Sequence, residues 1–155
     1  MRWIAVIFSF LLFHSVGFGF EPKAVDQLIS TGDCPRCDLS GANLARMSLG
    51  AANLEGANLN DANLFGTKLW KSNLKSAQLK GARLSHAYLG GADLSHADFS
   101  DADLRETEFF KANLKGANLR GANLFRTGFQ QAVMDDAFWP DGSRCLEGSW
   151  GECKR

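Results

Sequence analysis

Apolar residues recur every five positions through the middle of the chain. Read from Ala42, the units run Ala-Asn-Leu-Ala-Arg, Met-Ser-Leu-Gly-Ala, Ala-Asn-Leu-Glu-Gly and Ala-Asn-Leu-Asn-Asp. We call the third residue of each unit its central position. From Leu44 to Met134 there are 19 central positions, of which 15 are Leu and the others are Phe99, Phe109, Phe129 and Met134. Two residues before the centre, 14 of the 19 residues are Ala, and the exceptions are Met47, Thr67, Ser72, Thr107 and Thr127.

This period predicts a chain that turns a corner after every unit. A helix with about 3.6 residues per turn would spread the leucines around its axis. A straight strand would send successive leucines to opposite faces. A corner in each unit lets the Leu and the Ala both point inward, with the polar residues facing water. We therefore expect successive coils to stack through backbone hydrogen bonds at a spacing of about 4.8 Å.

The pattern resembles the pentapeptide-repeat family, whose units read A-(N/D)-L-x-x. The resemblance covers Cys37 to Trp139, about two-thirds of the chain, and it implies an all-β fold. The expected architecture is a right-handed quadrilateral parallel β-helix with four units per coil. It would have about five coils and be a rod of roughly 24 Å.

The first residues have the pattern of a secretory signal peptide. Met1-Arg2 is a short basic start, Trp3 to Phe13 is apolar apart from Ser9, and small residues follow. We assign residues 1–19 to a signal, with cleavage after Gly17 or Gly19. Eleven apolar residues are too few to cross a bilayer, so no membrane span is expected after cleavage. An uncleaved signal that anchors the chain to the membrane is the alternative.

Both ends of a solenoid need caps, since they expose core residues and unpaired strand edges. In residues 20–36, the spacing of Val25, Leu28 and Ile29 predicts a short amphipathic helix that ends at Gly32. Residues 37–139 are assigned to the β-helix, and residues 140–155 to a C-terminal cap. One or more of the apolar residues at that end should cover the last coil: Trp139, Leu146 or Trp150.

Four cysteines lie in two pairs, Cys34 with Cys37 and Cys145 with Cys153. Export would place them in an oxidising compartment, so two structural disulfides are the favoured interpretation. Free thiols, redox chemistry and intermolecular bonds remain alternatives. A redox-active Cys-x-x-Cys usually requires a thioredoxin-like context, which is absent around Cys34. A zinc site shared by all four is not expected, because the pairs lie at opposite ends of the rod.

No catalytic, cofactor or metal site is predicted. His86 and His96 end units that are two apart, so four units per coil place them on opposite sides, and His14 lies in the signal. The same geometry distributes a run of carboxylates over different sides: Asp93, Asp98, Asp101, Asp103, Glu106 and Glu108. We interpret this run as a solvated acidic band. The protein is therefore not expected to be an enzyme.

One side of the predicted rod carries outward aromatics. It contains the units centred on Leu49, Leu69, Leu89, Phe109 and Phe129. Its candidate binding residues are Trp70, Tyr88 and Phe110, flanked by Lys68, Lys71 and Lys111. The adjoining side carries Phe65 and Phe125. Exposed aromatics beside cations suit recognition of a protein or glycan partner. The alternative is that these rings only cover the β surface and stabilise stacking.

Charge limits the function classes. The 17 basic residues balance the 17 acidic ones, which argues against nucleic-acid binding. Removal of residues 1–19 takes away only Arg2, leaving 16 against 17, a net charge of −1. The family resemblance also implies an alternative, a DNA mimic that binds a type II topoisomerase, but such proteins are markedly acidic and cytosolic. We expect an exported, periplasmic or extracellular, non-catalytic scaffold; its oligomeric state is open.

Overall fold

A computed structural model describes residues 22–155, which begin with the helix α1, Pro22–Thr31. The predicted signal, residues 1–19, lies outside the described residues. Pro22 suits the first turn, where no backbone N–H partner is needed. Gly32 follows the last helical residue, and its φ of 73° lets its N–H donate to the Leu28 carbonyl at 3.0 Å. The predicted N-terminal helix is therefore present.

Helix α1 buries one stripe of side chains against the first coil. Ala24 and Leu28 are buried in the core, and Val25 is partly buried against it. The Asn53 N–H donates to the Gly32 carbonyl at 2.8 Å and ties the end of the helix to the coil above. The prediction that Ile29 belongs to the buried stripe is wrong, since Ile29 is 56% exposed.

The repeats stack with a register of 20 residues. Parallel β-bridges join residues i and i+20 from Asp33↔Asn53 to Asn118↔Phe138. Since each unit has five residues, four units complete one coil and the rod has four sides. Bridging begins at Asp33, four residues before the predicted boundary at Cys37, because Cys34 occupies a central position one unit earlier.

We name the sides by the bridged residues that precede each central position. The first side runs through Asp33, Asn53, Asn73, Asp93, Asn113 and Val133. The second side runs through Asp38, Asn58, Gln78, Asp98, Asn118 and Phe138. The third side runs through Asn43, Asn63, Arg83, Asp103 and Asn123. The fourth side runs through Ser48, Lys68, Tyr88, Glu108 and Gly128.

Each corner is a tight turn closed by one backbone hydrogen bond. At the corner after Leu39, the Ala42 N–H donates to the Leu39 carbonyl at 3.0 Å. Of the two residues between them, only Gly41 has a positive φ, 70°, which is the pattern of a type II turn. Non-glycine residues also take this position, for example Lys71 with φ 55°. The stacking of the coils therefore tolerates a strained corner in many units.

The core is a column of central side chains with alanines at the corners. Most central leucines are fully buried, as are most of the alanines two residues before them. Toward the C-terminal end, phenylalanines replace leucine. Phe109 stacks on Phe129 with centroids 5.3 Å apart, and Phe99 meets Phe109 edge-on at 6.0 Å. The period of five therefore encodes one continuous core.

The C-terminal segment pairs antiparallel with the last coil. Bridges join Val133 to Trp150 and Phe138 to Arg144. Trp139 packs on Phe129 with centroids 5.3 Å apart, so the prediction for Trp139 is confirmed. Of the three candidates Trp139 covers the last coil, whereas Leu146 and Trp150 are 56% and 67% exposed. The residues that are buried from this segment are Cys145 and Ser149.

Within residues 22–155, none of the helical structure is long and apolar enough to cross a membrane.

Candidate interaction surface

Polar side chains form ladders on three of the four sides. On the second side, the Asn58 amide donates to the Asp38 carboxylate at 3.0 Å, and the Asn118 amide donates to Asp98 at 2.9 Å. The first and third sides carry the same kind of bond, from Asn113 to Asp93 at 3.1 Å on the first side. These bonds join residues 20 apart, so each links one coil to the next.

The same Asn and Asp oxygens also accept a backbone N–H within their own unit. The Ser95 N–H donates to Asp93 and the Ser100 N–H donates to Asp98, both at 3.0 Å. This is the Asx-turn geometry that favours Asn and Asp just before a turn. One side chain thus stabilises both the corner and the stack, which explains the Asn or Asp of the repeat.

The fourth side departs from this arrangement. Its bridged residues make no side-chain hydrogen bond between coils within residues 22–155. Its corners hold threonine instead of alanine at three positions. The hydroxyls of Thr67, Thr107 and Thr127 donate inward to the carbonyls of Leu44, Leu84 and Leu104 at 2.7–2.8 Å.

The outward residues of the fourth side are large and apolar. Trp70 is 48% exposed, Tyr88 53% and Phe110 45%. Trp70 and Phe110 follow central residues two coils apart, and Tyr88 precedes the central residue of the coil between them. The prediction that these three rings point outward on one side is therefore confirmed.

Glycines leave the backbone bare between the rings. The row that contains Trp70 and Phe110 also contains Gly50 and Gly90, so rings and glycines alternate from coil to coil. The Trp70 indole lies over Gly50, in the space that a Cβ there would need. It therefore leans away from Gly90. A Cβ at Gly90 would meet only the Phe110 carbonyl oxygen, at 3.5 Å, and the surface at Gly90 and Gly91 is open.

The charge of the fourth side is positive. Lys68, Lys71 and Lys111 are exposed and Glu108 is the acidic residue among them. The Lys111 Nζ lies 5.0 Å from the centre of the Phe110 ring, a cation–π contact. None of the ion pairs among residues 22–155 includes these lysines. Their charges are therefore free for a partner.

A small cleft lies below the fourth side, between α1 and the first coil. Its volume is about 280 Å³. It is lined by Leu28, Ile29, Gly32, Met47, Ser48, Leu49, Gly50 and Ala52. Its lining is largely apolar, with Ser48 as the polar side chain.

The third side carries the other two predicted aromatics, each with its own partners. The Phe65 ring lies 5.6 Å from the Arg46 guanidinium and 5.3 Å from the His86 ring. Phe125 is 58% exposed beside Arg126. Phe65 is thus held within a cluster of its own side, whereas the rings of the fourth side are not clamped in this way.

The predicted distribution of the histidines and carboxylates is what the register gives. His86 lies on the third side and His96 on the first, opposite it. Among residues 22–155, no group of three or more His, Cys, Asp or Glu is placed to hold a metal ion. His86 Nδ1 lies 3.4 Å from Glu106.

Asp103 is the most strongly engaged carboxylate of the acidic band. Its oxygens accept two hydrogen bonds from Arg105, each 2.8 Å. This hydrogen bonding lowers the pKa of Asp103 below its ordinary value and outweighs the opposing effect of partial burial. The arginine thus favours the ionised form of Asp103. Of the band, Asp93 and Asp98 belong to the ladders between coils.

The cysteines meet in the predicted pairs. Cys34 lies at bonding distance from Cys37 with Cα atoms 5.4 Å apart, and Cys145 from Cys153 with Cα atoms 5.0 Å apart. Cys37 takes the small inward position of its unit, and Cys34 takes a central position one unit earlier and is fully buried, which sequence reasoning missed. Reading the period one unit earlier would have found it.

Sequence reasoning also missed the threonine bonds of the fourth side. Four of the five residues that replace the inward alanine belong to this side, namely Met47, Thr67, Thr107 and Thr127. The signal was present but becomes visible only when every fourth unit is aligned. The fourth side is thus distinct both inside and outside.

The five-residue period and the 20-residue register define a quadrilateral pentapeptide-repeat β-helix. The profile described as Pentapeptide repeats matches in eight copies, over residues 33–70, 72–109, 87–125 and 102–138. The chain belongs to the pentapeptide-repeat family, whose members fold as right-handed quadrilateral β-helices.

Solved structures similar to this chain are also pentapeptide repeat proteins. Rfr23 from the cyanobacterium Cyanothece 51142 is 29% identical, over 76% of this chain and 97% of that one, with a TM-score of 0.43. HetL from Nostoc, involved in heterocyst differentiation regulation, is 30% identical over 72% of this chain and 61% of that one, with a TM-score of 0.39. A pentapeptide repeat protein from the Arabidopsis thaliana thylakoid lumen is 26% identical over 82% of this chain and 88% of that one, with a TM-score of 0.34. No curated protein matches the sequence.

Proposed function

We propose that this chain is an exported, non-catalytic scaffold whose fourth side recognises a partner. The scaffold is a rigid rod of about five coils, with caps formed by residues 20–36 and 140–155. The partner is a protein or a glycan that contacts Trp70, Tyr88 and Phe110. The flanking Lys68, Lys71 and Lys111 favour a partner with negative charge.

One observation carries this proposal, the departure of a single side from the pattern of the other three. The first, second and third sides each carry Asn or Asp side chains that hydrogen-bond from one coil to the next. The fourth side replaces it with half-exposed rings, free lysines and bare glycines, although its backbone and core are bridged in the same way. Where residues depart from the repeat pattern although the fold does not require it, a functional role is expected.

Export is supported by the cysteines and by the first residues. Disulfides persist in oxidising compartments and are rare in the cytosol. Both pairs are within bonding distance and no free cysteine is present in residues 22–155. Residues 1–19 have the composition of a cleaved signal. A membrane-anchored form would keep the same rod outside the cytosol.

The topoisomerase-binding alternative gains no support from the surface. A DNA mimic needs a strongly acidic face, whereas here the acidic band is distributed over all four sides. Asp103 is also paired with Arg105. The exposed charge of the fourth side has the opposite sign.

Fractionation of cells that express the full chain tests the export half of the proposal. We expect a shortened protein outside the cytosol, with no thiol that reacts with maleimide in denaturant unless a reductant is added. Measurement uses mass spectrometry of the mature N-terminus and thiol counting. An uncleaved cytosolic protein with four free thiols would contradict the proposal.

Site-specific photo-crosslinking in the same cells tests the recognition half. A photo-reactive residue at the exposed Gln130, in the same row of the fourth side as Trp70 and Phe110, should crosslink to a discrete partner. One at Asn60, in the matching row of the second side, should not. Substitution of Trp70, Tyr88 and Phe110 together by Ser should abolish the Gln130 crosslink and leave the melting curve nearly unchanged. If the triple variant does not fold, the rings are structural cover and the proposal fails.

A further inference from the structure

We infer that the partner of the fourth side is an acidic polysaccharide, seated on the bare backbone at Gly90 and Gly91 between the three rings. This rests on the proposed function and names the chemical class of the partner. The recognition would combine stacking of sugar rings on Trp70, Tyr88 and Phe110 with pairing of sugar carboxylates to the lysines beside them.

The seat is defined by what is missing above the backbone. The space over Gly90 contains no side-chain atom within 4 Å of a Cβ built there. The nearest atom to a Cβ at Gly91 is the Lys71 Cγ, at 3.5 Å. Phe110 and Trp70 lie on the coils above and below, about 10 Å apart by the spacing of strands, and Tyr88 lies on the coil of the seat itself. The result is a bare stretch of backbone with rings on its own coil and on the coils above and below.

The rings present flat apolar faces. Each of the three is about half exposed, as expected for a ring that lies on a β surface with one face covered and one face open. Trp70 is the clearest case, since its indole lies on Gly50. Flat open faces suit stacking against a flat partner ring, since aromatic contacts depend on geometry as well as area.

Charge complementarity requires an anionic partner. Three free lysines face one glutamate on this side, and they lie on coils both below and above the seat. Charges distributed along the rod match a polymer with repeated carboxylates better than a single small anion. Their attraction would steer and orient such a chain along the column of rings.

The backbone argues against an extended peptide as the partner. The Tyr88 and Gly90 carbonyls already accept bonds from Leu69 and Lys71, and the Tyr88 N–H donates to Thr67. No strand can therefore be added to the middle of this side, which is how extended peptides often gain affinity. The seat is also too shallow to enclose an anchoring side chain. Stacking and charge are what remain, and an acidic polysaccharide offers both.

Binding of defined polymers to the purified exported protein tests the inference. Polygalacturonate represents the acidic polysaccharide, dextran a neutral one, and poly-L-glutamate an acidic peptide, each measured by calorimetry at low and physiological salt. We expect polygalacturonate to bind, and to bind more weakly as salt rises. Dextran should bind at least about tenfold more weakly, and poly-L-glutamate likewise.

Matched lysine variants locate the site. Replacement of Lys68, Lys71 and Lys111 by Ala should weaken polygalacturonate binding about tenfold, since three exposed charge pairs contribute modestly each. The control replaces the same number of lysines on the first and second sides: Lys75, Lys80 and Lys115. It has the same net charge and should keep the wild-type affinity. Equal losses in both variants would show that binding follows net charge alone and would overturn the inference.

Gly90→Leu tests the seat itself. Gly90 does not have a positive φ, and a Cβ there would make only an ordinary van der Waals contact. The melting temperature of the variant should therefore stay close to that of the wild type. The side chain would fill the seat and reduce polygalacturonate affinity about tenfold. Lys115→Leu, in the matching row of the first side, is the control and should bind normally. Unchanged affinity in Gly90→Leu would overturn the assignment of the seat.

The remaining outcomes separate the inference from the proposed function. Tighter binding of poly-L-glutamate than of polygalacturonate, lost in the lysine variant of the fourth side, would identify an acidic protein partner and overturn the inference. Absence of binding to all three polymers, with the Gln130 crosslink retained, would do the same and leave the proposed function standing. Loss of that crosslink as well would remove both.

Discussion

The second and fourth sides of the rod share one backbone and one core but have different exteriors. The second side carries an Asp and Asn ladder whose bonds of 2.9–3.0 Å link successive coils. The fourth side has no such ladder within residues 22–155, yet the parallel bridges continue through Lys68, Tyr88 and Glu108 with the same register. The ladder therefore supports the stack without being required for it.

The energetic reason lies in what the two sides have in common. An apolar central residue packs in the core in every unit, and full burial of such a side chain contributes about 1.5–3 kcal/mol. A single side-chain hydrogen bond contributes only about 0.5–1.5 kcal/mol net. A side can therefore lose its ladder and remain folded, provided that it keeps its inward residues. This frees the outward positions of that side for recognition.

The largest expected effect comes from removing a central residue, and it should be equal on both kinds of side. Leu84→Ala on the third side and Leu89→Ala on the fourth should each cost about 2–5 kcal/mol, because both are fully buried. Asn73→Ala, which breaks a ladder bond of the first side, should cost far less. Chemical denaturation of the three variants measures this. A Leu89→Ala variant as stable as Asn73→Ala would show that the fourth side is packed differently.

An intermediate effect is expected from exchanging the corner residues of the two kinds of side. Ala102→Thr on the third side should cost about 1–3 kcal/mol, since extra atoms enter a corner that is fully packed. Thr107→Val on the fourth side should cost about 1 kcal/mol, because it removes the bond to the Leu84 carbonyl but keeps the shape. Thermal unfolding of both variants tests the pair. A stabilising Ala102→Thr would mean that any corner accepts threonine.

The smallest effect concerns acid stability, and it belongs to a ladder side. The pKa of Asp103 is lowered in the folded protein, chiefly by its hydrogen bonds to Arg105. A carboxylate whose pKa is lower in the folded protein stabilises the fold at pH values above its ordinary pKa of 3.8. That contribution is lost as the pH falls through the folded pKa. Arg105→Ala should shift the carboxyl titration of Asp103 upward, followed by carbon NMR; an unmoved titration would contradict the role of Arg105.

Most of the fold follows from the sequence because one strong signal is repeated. A large apolar residue, usually Leu, at every fifth position defines the core. Together with the four units per coil that the family resemblance implies, the period places Trp70, Tyr88 and Phe110 on one side. The helix is also foreseeable, since Leu28 and Gly32 supply its buried stripe and its end. Local signals suffice where each unit repeats the same physical problem.

The ends were predicted less well, because no period applies there. Ile29, Leu146 and Trp150 are apolar but exposed, since the positions available to them on the end coils are already filled by Leu28, Trp139 and the cysteines. Hydrophobicity alone does not show which of several apolar residues occupies the buried position on an end coil. The threonine bonds were missed for another reason: their acceptor is 23 residues away in sequence.

Because the register is 20 residues, the distance between two residues along the sequence sets the angle between them around the rod. Each five-residue unit advances the chain by a quarter turn, so the side on which a residue lies depends on how many units precede it. Deletion of one whole unit between Leu69 and Leu89 would preserve the repeat and the core. It would also rotate everything that follows, so that Phe110 would leave the side that carries Trp70. In such a rod the number of units between two residues decides whether they share a side. A deletion that leaves the fold intact can therefore separate the residues of a binding face.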